Sequence, residues 1–178
     1  MESFFSSDLS VLNNQPQTCY HAPSFEGYFG INMPGIPGTN SEKMLISTGL
    51  GLIANMLQPT NNEDISLVAL GLYFDYYYPF NEKFGAKTSL GFYWRYYSNQ
   101  FTIEQKDFEY KKHGFMMPFL AGVYFEPFKG YFIEANIKYN MSTFRNNDKN
   151  IDGIASTLPK NSWLNSITPT IGIKAVLH

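Results

Sequence analysis

The sequence predicts an all-β chain, an antiparallel up-and-down transmembrane β-barrel of about eight strands. Three observations predict it: long runs of two-residue alternation, connections that alternate between short and long, and aromatic residues gathered at strand ends. Of the 178 residues, 16 are Phe and 13 are Tyr, types that suit a pleated, half-buried surface. No stretch approaches the ~18–20 consecutive apolar residues of a spanning helix, so a membrane crossing here would be made by strands.

The strands follow in order. A first one is suggested by Phe5, Leu9 and Val11 against Ser6, Asp8 and Ser10, with residues 1–21 as an irregular arm in the alternative. Next, Phe25, Gly27, Phe29, Ile31 and Met33 oppose Glu26, Tyr28, Gly30 and Asn32. Met44, Ile46, Thr48, Leu50, Leu52 and Ala54 then oppose Lys43, Ser47, Gly49, Gly51 and Asn55. From Ser66 to Tyr78 an almost wholly apolar face alternates with Ala69, Gly71, Tyr73 and Asp75. After the turn 79–83 the pattern resumes as Phe84, Ala86, Thr88, Leu90, Phe92, Trp94 and Tyr96 against Gly85, Lys87, Ser89, Gly91, Tyr93 and Arg95. The strand 115–125 repeats the design and turns through Glu126-Pro127-Phe128-Lys129-Gly130. Its return sets Tyr131, Ile133, Ala135, Ile137, Tyr139 and Met141 against Glu134, Asn136, Lys138 and Asn140. The last strand, 166–177, sets Ile167, Ile171, Ile173, Ala175 and Leu177 against Thr168, Thr170, Gly172 and Lys174. Pro118 and Pro169 fall inside strands and mark expected bulges.

Short turns follow Tyr78 and Phe125, whereas polar links occupy 56–64, 98–113 and 142–163; the link 34–42 is long for its side. Long loops on one side and short turns on the other are the layout of a membrane barrel. The small and polar residues suit a narrow lumen, and the bulky apolar ones suit lipid. The lumen face carries Glu26, Lys43, Asp75, Lys87, Arg95, Glu134, Lys138 and Lys174. Buried charges need partners, so an internal ion-pair network is expected; a solvated outer surface of mixed charge is the alternative. Tyr76, Tyr77, Tyr78, Phe80, Phe84, Phe125, Phe128 and Tyr131 gather around the short turns, and Trp94, Tyr96, Tyr97 and Phe115 near the opposite ends. Two girdles of this kind match the two interfaces of a bilayer.

In strand plan and alternation, residues 22–177 resemble the small eight-stranded outer-membrane barrels of the OmpA and OmpX type. The resemblance implies one barrel domain over 1–178 in a bacterial outer membrane. It also implies contact with outer-membrane lipid including lipopolysaccharide, and with other outer-membrane proteins. The start, Met1-Glu2-Ser3-Phe4-Phe5, lacks the basic residues, apolar stretch and cleavage site of an export signal, so the numbering is read as that of a mature form with an added methionine.

Chemistry is sparse in the sequence. A net charge of −2 with scattered basic residues leaves nucleic acid out as an expected partner. Cys19 is the sole cysteine and reads as a loop residue; no ligand spacing suggests a metal, and no cofactor is expected. Lipid A deacylases of this barrel size carry a His-x-Ser pair, but here His113 is followed by Gly114-Phe115. A dispersed triad of Ser98 or Ser142 with His113 and Glu109 is the enzymatic alternative. In the segment 98–113, Phe101, Ile103, Phe108 and Tyr110 interleave with charged residues, as in a ribbon projecting beyond the membrane with an edge for a partner strand. Lys111, Lys112 and His113 are candidates for lipopolysaccharide phosphates. The expected function is a non-enzymatic structural or interaction module, displaying loops or docking beside a larger outer-membrane complex. A lipid-modifying enzyme and a soluble lipocalin-like binder of an apolar ligand are the rivals.

Overall fold

Alternation gives every strand one bulky apolar side and one small or polar side, and antiparallel pairing keeps like sides together. In the computed structural model, which describes residues 2–6, 20–34, 44–60, 63–146 and 161–176, the result is one antiparallel sheet, with no helix among the described residues. The strands are β1 (Glu2–Ser6), β2 (Tyr20–Ala22), β3 (Ser24–Pro34), β4 (Leu45–Thr60), β5 (Glu63–Pro79), β6 (Phe84–Ile103), β7 (Lys106–Phe128), β8 (Tyr131–Asn146) and β9 (Asn161–Ala175). Only Pro23 separates β2 from β3, so the nine segments run in eight lanes. From β3 to β9 each strand pairs with the next in the chain; β1 pairs with β9 on one side and β2 on the other. This is an up-and-down sheet. It curls so that side chains of β3 and β8 meet across its concave face, but no ladder joins β3 to β9, and the sheet is not closed there.

The tight connections have local causes. In the turn 80–83, Phe80 and Asn81 donate their N–H groups to the Phe84 carbonyl at 2.8 and 3.1 Å. The Asn81 side-chain oxygen in turn accepts from the Lys83 and Phe84 amides at 2.9 Å each. At the β7–β8 turn Gly130 adopts φ 83°, a left-handed value suited to glycine. Its N–H donates to the Glu126 carboxylate at 2.7 Å.

Several expectations are corrected. The link 56–64 is largely strand, since β4 continues to Thr60, whereas the ribbon expected in 98–113 is present as paired strand: β6 and β7 pair out to Ile103 and Lys106 around a turn at Glu104 and Gln105. The outward apolar alternation ends before the backbone ladder does, because the polar side chains that replace it leave the N–H and C=O groups equally free to pair. Neither Pro118 nor Pro169 shifts the register. The β6–β7 ladder skips the rungs beside Pro118 and resumes in step, and Pro169 stays opposite Ile137. Irregularities fall instead between Leu57 and Thr60 and between Phe125 and Phe128. Leu9, Val11, the link 35–43 and the whole of 147–160 lie outside the described residues.

The concave face forms the core. Near the short turns the rings of Tyr77, Tyr124 and Phe132 pack at centroid distances of 5.4–5.5 Å. At mid-height Ile53, Ala69, Tyr73, Tyr93 and Met116 cluster, and towards the other end Leu57, Ile65, Leu67, Phe101 and Leu164 are buried. Glycine makes room for these rings. A Cβ on Gly51 would stand 2.9 Å from the Tyr28 ring and nearer still to the Tyr93 hydroxyl. Gly51→Val is therefore expected to destabilise the fold by about 1–3 kcal/mol through overpacking. A lowered midpoint in denaturant titration, with Gly27→Val as the control at a position with open space, checks it.

Candidate functional site

Two features stand out from the sheet: the polar network on its concave face and the ribbon made by the far ends of β6 and β7. On the concave face, Asp75 of β5, Lys87 of β6 and Glu134 of β8 converge. The Lys87 ammonium lies 3.1 Å from Asp75 Oδ2 and 2.6 Å from Glu134 Oε2. Tyr77 donates its hydroxyl to Glu134 Oε1 at 2.6 Å and lies 3.3 Å from Asp75 Oδ2. Lys174 of β9 sets its Nζ 4.3 Å from the Tyr77 ring centroid. Two carboxylates and two ammonium groups thus share a site whose formal charges cancel, which is what burial of ions demands.

A second pair, Glu26 with Lys138, joins β3 to β8. Glu26 also accepts from Ser24 Oγ and from the Tyr28 hydroxyl. Arg95 is held by Ser142 Oγ at 2.9 Å and Asn55 Oδ1 at 3.1 Å. Arg95 and Lys138 are each only 1% exposed. Of the eight charged residues singled out by alternation, Lys43 lies outside the described residues; the other seven occupy the concave face.

On the ribbon, register sets Phe101 opposite Phe108, Asn99 opposite Tyr110 and Ile103 opposite Lys106. Phe101 is buried, and the side chains of Ile103, Phe108 and Tyr110 lie outside the description. The basic run does not form one surface. Lys111 is exposed and pairs with Glu109 at 2.6 Å, whereas Lys112 turns to the concave face beside the Tyr97 ring, 5.4 Å from its centroid. His113 stacks on Trp94 with centroids 5.2 Å apart on the convex side. The cause is strand alternation, which sends neighbouring residues to opposite faces. The same rule separates Ser142, bonded to Arg95 inside, from His113 outside. Ser98 donates to Glu109 at 3.1 Å.

Sequence reading missed the apolar concave residues Leu57, Ile65, Leu67 and Phe144, and it missed Trp163 on the convex face. The inner alternation of Ile65 and Leu67 was a usable signal, since it continues the series Ala69, Gly71, Tyr73. Trp163 follows a segment with no alternation, and its place is given by register alone: Trp94 faces Phe115, Phe115 faces Thr143, and Thr143 faces Trp163.

No protein-family model matches the chain, and comparison with curated proteins and with solved structures finds no match either.

Lys87→Met leaves two buried carboxylates facing each other and is expected to cost about 3–5 kcal/mol. The double change Lys87→Met with Glu134→Gln should recover part of that loss; unfolding free energies of the single and double variants measure it. On the ribbon, the Lys111 ammonium, with the Ser98 hydroxyl, holds the Glu109 carboxyl below its ordinary value. The pairing therefore steadies the ribbon above the ordinary carboxylate range and is lost as pH falls through the lowered value. Lys111→Ala should raise the Glu109 titration midpoint, read by carboxyl NMR.

Proposed function

We propose that this chain is a bacterial outer-membrane β-barrel with a plugged lumen, a non-enzymatic module that displays the β6–β7 ribbon. The observation that carries the reading is the inversion of the two faces. Leu50, Leu52, Val68, Leu70, Leu72, Phe92, Ile133 and Ile137 are exposed on the convex side, whereas Arg95, Lys138, Lys87 and Glu134 are buried on the concave side. A water-soluble sheet keeps its apolar face inside; a barrel in lipid reverses this.

Dimensions agree with the reading. On β6 the outward residues are apolar or Thr from Phe84 to Tyr96 and polar from Ser98. At ~3.3 Å per residue that band is about 40 Å along the strand, or about 30 Å once tilted by ~40°, a hydrocarbon core's thickness. Aromatic rows bound it. Trp94, Phe115 and Trp163 fall on one line of register, and Phe84 stacks on Phe125 near the short turns at 4.7 Å.

A lumen filled by rings and ion pairs suits a scaffold better than a channel, since eight strands enclose little more than their own side chains. The concave ions argue against a lipocalin-like pocket for an apolar ligand. Expected partners are outer-membrane lipid, including lipopolysaccharide, and neighbouring outer-membrane proteins that meet the ribbon.

Electrophoresis in SDS of protein folded into detergent micelles tests the reading. The unboiled band is expected to migrate apart from the boiled one and to resist protease below the ribbon. Protein that stays soluble without detergent and shows no shift would reverse the assignment of inside and outside.

A further inference from the structure

The eight lanes leave one slot a single strand wide. β1 lies between β9 and β2, with Ser3 opposite both Ile167 and His21. Its ladder begins at Glu2, opposite Ala22. Both flanking strands continue beyond that level, β9 to Ala175 and the β2 lane, past Pro23, as β3 to Pro34. No described residue pairs with these continuing edges. Strands that flank a third stand about 9–10 Å apart. The Glu26–Lys138 pair, reaching from β3 to β8, shows that the edges have not splayed.

Burial changes where β1 ends. The inward residues Leu164, Ser166 and Thr168 of β9 are buried, whereas Thr170, Gly172 and Lys174 are only partly covered. Across the slot, Ala22 is fully buried but Tyr28 is 49% exposed. On the outside, Phe29 is 85% and Ile171 87% exposed, against 48% for Phe92 on the inner strand β6. Polar groups are also left over on the two edge strands beyond β1: Asn32 Oδ1 and Lys174 Nζ are buried atoms with no hydrogen-bond partner. Unpaired buried polar groups are costly, and an open edge is a template for a strand.

We propose that the slot seats polypeptide lying directly ahead of Met1, which continues β1 in register and closes the ladder between β3 and β9; Met1 is then an internal residue, not a methionine added to a mature form. The direction of β1 selects this occupant. Each step back along β1 is one step forward along both β9 and the β2–β3 lane. Polypeptide leading into Glu2 therefore enters the slot antiparallel to both neighbours. A strand from another molecule would have to end against Glu2 and bear the full entropy of association. Pro23 and Pro169 each remove one donor, both one rung beyond Glu2; further along, the edges keep theirs.

Register also prescribes the pattern. The first, third and fifth residues ahead of Met1 face inward, beside Ser24 and Thr170, Glu26 and Gly172, and Tyr28 and Lys174 in turn. These positions call for small or polar side chains, with an acceptor at the fifth for the Lys174 ammonium. The second, fourth and sixth lie outward beside Phe25 and Ile171, Gly27 and Ile173, and Phe29 and Ala175, and call for apolar ones.

N-terminal sequencing and intact mass of the protein isolated from its own cells test the proposal. The expected result is a first residue at least six positions ahead of Met1, with that alternation and a mass above 20.4 kDa. A mature chain starting at Met1 or later overturns it. In the extended chain with Cys19→Ser and Ile171→Cys, a cysteine at the second position ahead of Met1 should form an intramolecular disulfide; absence of the cross-link overturns the register. Capture of a synthetic strand or a second copy in the slot by a native chain that begins at Met1 also overturns it. The lipid setting does not enter these readouts, so the cross-link can form whether or not the SDS mobility shift is seen.

Discussion

The ammonium of Lys87, lying between the carboxylates of Asp75 and Glu134, is the interaction on which the concave face depends. A sheet with its bulk on the convex side has to fill the other side from small and polar residues, and the polar ones lose water as the sheet curls. Ions in that setting stabilise nothing unless each meets an opposite charge with good geometry. Lys87 answers one carboxylate from the neighbouring β5 and one from β8, across β7, Tyr77 adds a hydroxyl, and Lys174 brings a second positive charge from β9. The curl is therefore coupled to charge neutrality. Strands β5, β6, β8 and β9 must all stand where they do for the four charges to cancel.

Above this site the interior changes character. Arg95 is bridged by Asn55 and Ser142, and beyond it Leu57, Ile65, Leu67, Phe101 and Leu164 take over. The polar interior is thus bounded by rings at the short-turn end and by aliphatic and aromatic groups at the other. Outside this packing lie the convex band, the ribbon edges and the edges of β3 and β9 that no described residue pairs. The ribbon gains its reach from backbone pairing that outlasts the outward apolar pattern, and its exposed face is set by the Ser98, Glu109 and Lys111 contacts.

The slot and the inverted faces are separate consequences of one rule, that each backbone and side-chain polar group needs a partner or water. In hydrocarbon the rule is strictest, which is why a spanning sheet has to close on itself. The edges of β3 and β9 bear most directly on the proposed membrane reading, and a strand in line with β1 is the shortest route to closure.

The sequence by itself determined the all-β class, the antiparallel up-and-down order, the short turns after Tyr78 and Phe125 and the division of residues between faces. All of these follow from local alternation, which has period two in any strand. The concave placement of Glu26, Asp75, Lys87, Arg95, Glu134, Lys138 and Lys174 was legible for the same reason. Only the tertiary structure decided who pairs with whom. Lys87 meets Glu134 from 47 residues away, and Glu26 meets Lys138 from 112, distances that depend on the curl and stagger of lanes that alternation does not encode. It also decided that the β6–β7 turn falls at Glu104 and Gln105, that Lys112 turns inward, and that β1 covers only part of the gap between its neighbours. Ladder length and register are set by backbone pairing between strands, and no single strand's pattern carries that information.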